Sequence, residues 1–552
     1  MDVTRAPLCR RSLALCLLFI ALYTCPSFAE CGPYPIGTRL GNVSLTNGQT
    51  ARGVAYSVGS PEQEFAFLPQ WPLNNVMAYG TNGKCTPPSP ADESGCTTWR
   101  GGQYDSLSSS TRRGITQDSY PKDADNYPSM NFYSDELKLN DNVTMSRVPI
   151  GVPLEDWGQE GYHPMMAVGL GTNSSILNML KADGSILSRT WSMFHGWTGA
   201  SSTSQHDGTF VFGGYDRAKV SGRGYKMSLT KDEGCASEMM ITVGDMILNF
   251  PNGTTKSLFT SESKSFSACL VPDYPVIMTI PQDPYFERFQ EITQTTISER
   301  TAGLSYYSVL YDDGDDPYEG DLTIEIQSGP SIRIPNHQLV TPQKYIDEDT
   351  RGWAANASKP NLLLNPIQDV NANDLPKLGR YFLSSAYVML NQDAGEFTLW
   401  SSNPTDVEDL VAIDEKGDEL TEFCNPTPTP SPSSDPSSSP TGELVGGEST
   451  GGEDPGEEST MSTGTIVGIA VGGAAGLGAI VAAVVILWRR RRRNKTRDVL
   501  NRDETGPSSH NAVMIEDPYA KNNYYHAELP GGTPSPLDHG KSVHPSHYEL
   551  AG

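Results

Sequence analysis

The six cysteines of the central region carry the most explicit chemistry in this 552-residue chain: Cys31, Cys85, Cys96, Cys235, Cys269 and Cys424. Their number is even, no two form a Cys-x-x-Cys pair, and none follows Cys424. Such a set reads as disulfides of an oxidising compartment rather than as zinc ligands. Cys85 and Cys96 bracket a short Pro- and Gly-bearing stretch, and closing a loop of that size would stabilise the fold by roughly 3 kcal/mol. Cys235 with Cys269, and Cys31 with Cys424, is the pairing that remains, which spacing alone does not decide. Asn-x-Ser/Thr sequons begin at Asn42, Asn142, Asn173, Asn252 and Asn356, and each marks a candidate glycosylated surface turn. The run Asp312-Asp-Gly-Asp-Asp316 offers carboxylates to calcium but lacks the twelve-residue ligand spacing, so a solvated acidic turn is the expectation. The nine His are scattered; no metal site and no cofactor are expected.

The elements that hold these residues are mostly β. Short apolar or alternating runs such as Val54-Ala-Tyr-Ser-Val58, Glu64-Phe-Ala-Phe-Leu68, Thr209-Phe-Val-Phe212, Leu322-Thr-Ile-Glu-Ile-Gln327 and Glu396-Phe-Thr-Leu-Trp400 are separated by Gly, Asn, Asp and Ser. Helical patterns are few, the clearest being Ile176-Leu-Asn-Met-Leu-Lys-Ala182 and Pro284-Tyr-Phe-Glu-Arg-Phe-Gln-Glu-Ile292. Residues 31–424 are too many for one β-sandwich, so two lobes are expected, about 31–216 and 217–424. Residues 31–488 carry 27 basic and 56 acidic side chains, a net of −29 within a chain of net −26. A surface this negative repels a phosphate backbone, which argues against nucleic-acid binding.

Both ends of that region are marked by apolar segments. Arg5, Arg10 and Arg11 precede a short apolar run and Ser27-Phe-Ala29, the pattern of a secretory signal peptide over 1–30, too short for a spanning helix. The uncharged run 465–488 is followed at once by five arginines, 489–493. Its 24 residues would extend about 36 Å as a helix, enough to cross a bilayer, and the arginines place residues 489–552 in the cytosol. A glycolipid-anchor signal would end the chain, whereas 59 residues follow Arg493. Gly468, Gly472 and Gly476 mark a helix face that could dimerise or simply reflect spanning-helix composition. Residues 425–464, rich in Pro, Ser, Thr and Gly, read as an extended stalk, and the polar tail as disordered. The sequon at Asn494 falls on the cytosolic side and is expected to stay bare. Tyr519, Tyr524, Tyr525 and Tyr548 offer the tail to signalling or trafficking proteins. The expected location is the plasma membrane or another secretory-pathway membrane, single-pass, with the N-terminus extracellular or lumenal.

Five segments in order resemble the pepsin-like aspartic proteases. They are Val58-Gly-Ser-Pro-Glu-Gln-Glu-Phe65; Cys85 to Cys96 followed by Tyr104-Asp-Ser-Leu-Ser-Ser-Ser-Thr111; Ala167-Val-Gly-Leu-Gly171 with Leu177-Asn-Met-Leu180 and Trp191-Ser-Met-Phe194; Gly208-Thr-Phe-Val-Phe-Gly-Gly-Tyr-Asp216; and Leu378-Gly-Arg-Tyr-Phe-Leu-Ser-Ser-Ala-Tyr-Val388. The resemblance spans most of residues 31–424 and implies a bilobal, mostly β fold, with Cys85 bonded to Cys96. The family's reaction needs a carboxylate from each lobe, sharing one proton across a water, each held in an Asp-Thr/Ser-Gly turn.

Here both turns depart from that pattern. The first position falls on Gln70-Trp71-Pro72 and the second on Pro272-Asp273-Tyr274. Gln cannot ionise, Trp is too bulky for a hydroxyl position, and Pro fixes φ where Gly is required. Asp273 could serve as an acid after a one-residue shift but would lack a partner at Gln70. Glu62 and Glu64, upstream on the entering strand, are expected in solvent. Tyr120 matches the family's flap tyrosine, although Pro121-Lys-Asp follows it. The expectation is a pseudoprotease that binds a peptide or glycan in the former cleft through Trp71, Tyr120 and Tyr274, or else with those rings filling it as core. The alternatives are an active aspartic-type endopeptidase with an unorthodox acid pair, and an adhesion or sensing protein using the lobes as scaffold.

Overall fold

A computed structural model describes residues 31–70, 73–82, 93–120, 129–156, 165–199, 201–261, 265–301, 308–420 and 422–424. The signal peptide, stalk, apolar run 465–488 and tail expected from the sequence lie outside the described residues, as do Trp71, Pro72 and Cys85. Among the described residues no helix is long and apolar enough to cross a membrane.

The chain is mostly β, as its alternation predicts. Strands Ile36–Ser44, Thr50–Val58 and Gln63–Gln70 form an antiparallel meander in the registers Leu40 opposite Val54 and Val54 opposite Phe67. The tight turn between the last two uses Gly59 at φ +80°, and a Cβ there would come 2.5 Å from Ser109 Oγ. The Ser-rich segment is thereby tied to this turn, for Ser60 N donates to Ser109 Oγ at 3.3 Å. Tyr104 and Thr111 from the same segment both donate to the buried Asp135, at 2.7 and 2.6 Å.

From this meander the sheet runs both ways. Gln205–Phe212 pairs with Ile36–Ser44 and with Thr190–Thr198, which pairs in turn with Ala386–Asn391 and through it with Glu396–Ser402 and Val220–Ser228. One 13-stranded sheet therefore crosses the expected lobe boundary near Asp216 and takes in strands from the C-terminal part. An eight-stranded sheet built on Met240–Asn249, Phe266–Leu270 and Asp321–Ile326 forms the second lobe, flanked by a four-stranded sheet that includes Val340–Ile346 and Trp353–Leu362. The core continues across both, from Leu40, Phe67 and Trp191 to Ile241, Leu322 and Leu390. Trp191 is fully buried and stacks on Phe210 with centroids 6.1 Å apart, an aromatic pair of the kind worth about 1 kcal/mol beyond its buried area.

Two disulfides join distant parts: Cys31 to Cys424 and Cys235 to Cys269, with Cα atoms 4.8 and 5.3 Å apart. Both pairings left open by spacing are thus present. Cys96 is also disulfide-bonded, to a residue outside the described ones. The helix Ser175–Ala182 starts where the apolar period begins, because Ser174 Oγ accepts from Leu177 N and caps it. The second expected helix is Glu287–Thr293, preceded by a wider turn over Gln282–Phe286.

Candidate functional site

The two degenerate turns occupy equivalent places in a repeated unit. In the first lobe, Gln63–Gln70 runs parallel to Ala167–Gly169, which is antiparallel to Val76–Met77. In the second, Phe266–Leu270 runs parallel to Lys377–Leu378, which is antiparallel to Met278–Ile280. Gly169 N donates to Asn75 O at 3.1 Å, and Gly379 N donates to Ile277 O at 3.0 Å. Counting five residues back from Asn75 and Ile277 reaches Gln70 and Pro272, while the parallel registers set Gln70 beside Gly169 and Leu270 beside Leu378, which brings Val271, one residue before Pro272, level with Gln70. Glycine is required at both crossings, since a Cβ on Gly169 would lie 2.3 Å from Asn75 N and one on Gly379 2.2 Å from Tyr274 O.

At neither counterpart does a carboxylate stand. Gln70 is buried, with its carbonyl accepting from Leu170 N at 3.0 Å. Asp273 and Tyr274 are buried as well, and their carbonyls receive Arg380 Nη1 at 3.2 Å and Arg380 N at 2.7 Å. Lys377 Nζ sits 5.0 Å from the Tyr274 ring centroid. Tyr120 is packed against Phe132, 4.9 Å between centroids, and its hydroxyl donates to Val76 O at 3.3 Å. Glu62 is exposed and paired with Lys138 at 3.2 Å, and Glu64 is exposed.

Gln70 of the first turn and Pro275, the residue after the second, line one cavity of about 410 Å³. Gln70 and Leu68 line it from the first lobe, Pro275, Arg380 and Tyr381 from the second. Tyr120 and Tyr274 do not line it. Its walls also carry Trp99, Trp197 and Trp353, the amides of Asn42, Gln70, Gln205 and Asn361, and the hydroxyls of Thr50, Thr198, Thr301, Ser308 and Thr341. Trp99 and Trp353 approach to 5.1 Å between centroids. No Asp or Glu is among the described lining residues, while Arg52, Lys344, Arg380 and His195 are.

This basic group is assembled by strand pairing. Arg52 sits inside Thr50–Val58 and reaches across the sheet, its Nη2 donating to His195 O at 2.7 Å and His206 O at 3.0 Å. Its Nε is buried with no hydrogen-bond partner, and its nearest carboxylate is Asp207, 4.0 Å away. Asp207 is engaged more closely by Arg39, at 2.5 Å. Lys344 donates to Thr198 O at 3.1 Å. These cations are thus anchored on carbonyl oxygens. Burial is the first cause of the shifts in this group, and like charge adds to it. Burial lowers the Arg52 guanidinium to about 10, against the pull of Asp207. Burial also lowers Lys344, with Arg52 and Arg380 adding to the effect. His195, 2% exposed, is held well below its ordinary value by burial and by Arg52, Arg380 and Lys344. Burial pushes the Tyr381 phenol up, but the charges of Arg380, Lys344 and Arg52 outweigh it and hold it below the usual range. The edge of Tyr381 meets His195 at 5.6 Å between centroids.

Of the sequence-expected residues that are described, Gln70 and the sequon residue Asn42 reach this cavity; Trp71 and Pro72 lie outside the described residues. Arg52, His195, Lys344, Arg380, Tyr381 and the three tryptophans were not anticipated. The one available signal is Arg52 itself, a charge set between Ala51 and Val54 inside an otherwise β-forming run. Asn42, Asn142, Asn173 and Asn252 are exposed and Asn356 is half-buried. The acidic turn at 312–316 is occupied internally: Asp312 accepts from Ser298 N and Oγ, and Asp313 pairs with Lys359 at 2.8 Å. Among the described residues no cluster of His, Cys, Asp and Glu could hold a metal ion.

No protein-family model matches this chain, and no curated protein does. A solved aspartic proteinase from Irpex lacteus is similar over 67% of this chain and 99% of its own, at 15% identity and a TM-score of 0.44.

Proposed function

We propose that the folded region is an aspartic-protease-like binding module that does not hydrolyse peptides, and that it holds a peptide or glycan in the cavity between the two turns. The observation that carries this reading is the chemistry of the two turns: Gln70-Trp71-Pro72 and Pro272-Asp273-Tyr274 hold one carboxylate between them, and no Asp or Glu is among the described residues lining the cavity. With Gln at position 70, Asp273 would supply at most one member of a dyad, and members of such a dyad act together rather than additively. The cavity remains large enough for a ligand, with aromatic walls and convergent polar groups. The topology read from the sequence, a signal peptide, stalk, spanning helix and arginine block, sets this module at the cell surface with a cytosolic tail free to meet signalling or trafficking proteins.

The test is ligand capture by the secreted ectodomain from defined peptide and glycan sets, repeated with Trp197→Ala and Trp353→Ala. Trp353 is partly exposed, so its removal leaves the fold intact and is expected to weaken capture by tenfold or more. Equal capture by wild type and both variants would remove the cavity from the account.

A further inference from the structure

The cavity lining is selective in its chemistry. An ectodomain with a twofold excess of acidic side chains encloses a chamber whose described walls hold no carboxylate and three cations. Arg52, Lys344 and Arg380 come from three separate stretches of chain, so their convergence is a property of the fold rather than of local composition. Arg52 and Lys344 are tethered to backbone oxygens on the strand Thr190–Thr198 and its partner, and Arg380 to the second turn. The guanidinium groups and the ammonium are therefore fixed in place before any ligand arrives, with Arg52 Nε still unsatisfied. A carboxylate is the natural guest of such a fork-and-point-charge arrangement.

The rest of the wall fits a particular carrier for that carboxylate. Trp197 and Trp353 offer flat apolar faces, and the amides of Asn361 and Gln205 with the surrounding hydroxyls offer both donors and acceptors. A sugar ring presents an apolar face and many hydroxyl groups. We infer that the cavity recognises an acidic sugar, its carboxylate held by Arg52, Lys344 and Arg380 and its ring laid against the tryptophans. This rests on the reading of the cavity as a binding site and names the class of ligand it takes.

The probe is a short oligomer of galacturonic acid, titrated calorimetrically into the glycosylated ectodomain beside its methyl ester and a glutamate tripeptide. The acid is expected to bind at least about tenfold more tightly than either. Arg380→Gln and Lys344→Gln are each expected to weaken it by tenfold or more, the scale of a charge-assisted hydrogen bond. Should a variant not fold, the wild-type protein still decides: raising salt from about 50 to 500 mM must weaken the acid severalfold and leave any ester binding unchanged. Equal binding of acid and ester would overturn charge recognition while leaving the cavity as a binding site. Tighter binding of the glutamate peptide would overturn the sugar. Absence of binding by all three, at concentrations where the defined peptide and glycan sets are still captured, would overturn this inference alone; loss of capture as well would overturn both.

Discussion

Replacing His195 by Phe should flatten the pH dependence of stability in the window just below neutrality. The imidazole is 2% exposed, its Nδ1 has no hydrogen-bond partner, and burial together with Arg52, Arg380 and Lys344 holds it well below its ordinary 6.5. In the folded state it therefore stays neutral to lower pH than in the unfolded chain, where it is about nine-tenths protonated at pH 5.5. The unfolded state then binds more protons, so stability is full above about 6.5 and falls as pH drops below it. The loss between pH 7.5 and 5.5 is at most about 1.4 kcal/mol, the whole of it where the folded imidazole stays neutral throughout. His337, also lowered by burial, contributes equally to both proteins and cancels in the comparison. Phe keeps the edge contact with Tyr381, so the variant should remain folded. Urea midpoints at pH 7.5, 6.5 and 5.5 supply the measurement, with the wild type losing more than His195→Phe by up to that amount. Equal losses in the two proteins would show that His195 charges in place, and the basic chamber as described would be wrong.

Removing the Cys235 to Cys269 bond with paired Cys→Ser changes should lower stability by about 4 kcal/mol, from the entropy of a loop spanning 34 residues; an unchanged urea midpoint would refute it. Ser174→Ala should cost about 1 kcal/mol by uncapping the helix Ser175–Ala182, again read by urea midpoint. For the whole chain in cells, glycosidase should shift mobility through the sequons before Cys424, while protease added outside should leave a tail epitope intact. Sugar recovered at Asn494 would contradict that orientation.

Much of the architecture is legible in sequence because its strands alternate or run apolar between turn residues, as at Gln63–Gln70 and Gln205–Phe212. The two turns can be located by counting along strands whose ends are sharply marked, at Gln70 for the first and near Leu270 for the second. The helix Glu93–Arg100 is not, because Ser, Gly and two Thr give it little intrinsic propensity. It is held instead by tertiary contacts, with Asn47 Nδ2 donating to Ser94 O at 2.9 Å and Thr98 Oγ1 at 3.0 Å. The basic chamber is equally hidden. Arg52 and His195 lie 143 residues apart and meet only through three strand pairings across two intervening strands, while Lys344 and Arg380 arrive from the second lobe. Local pattern carries no trace of such a convergence.

Acid-pH digestion by the purified ectodomain, run with and without a transition-state mimic of peptide hydrolysis, bears most directly on the claim that the two turns no longer form a dyad. Wild type and Gln70→Asp should both leave protein and peptide substrates uncut between about pH 2 and 5, the range in which paired aspartates share a proton. A carboxylate placed at position 70 still meets a second turn whose one acid is Asp273. Turnover by the wild type that the mimic inhibits and Asp273→Ala abolishes would contradict the account.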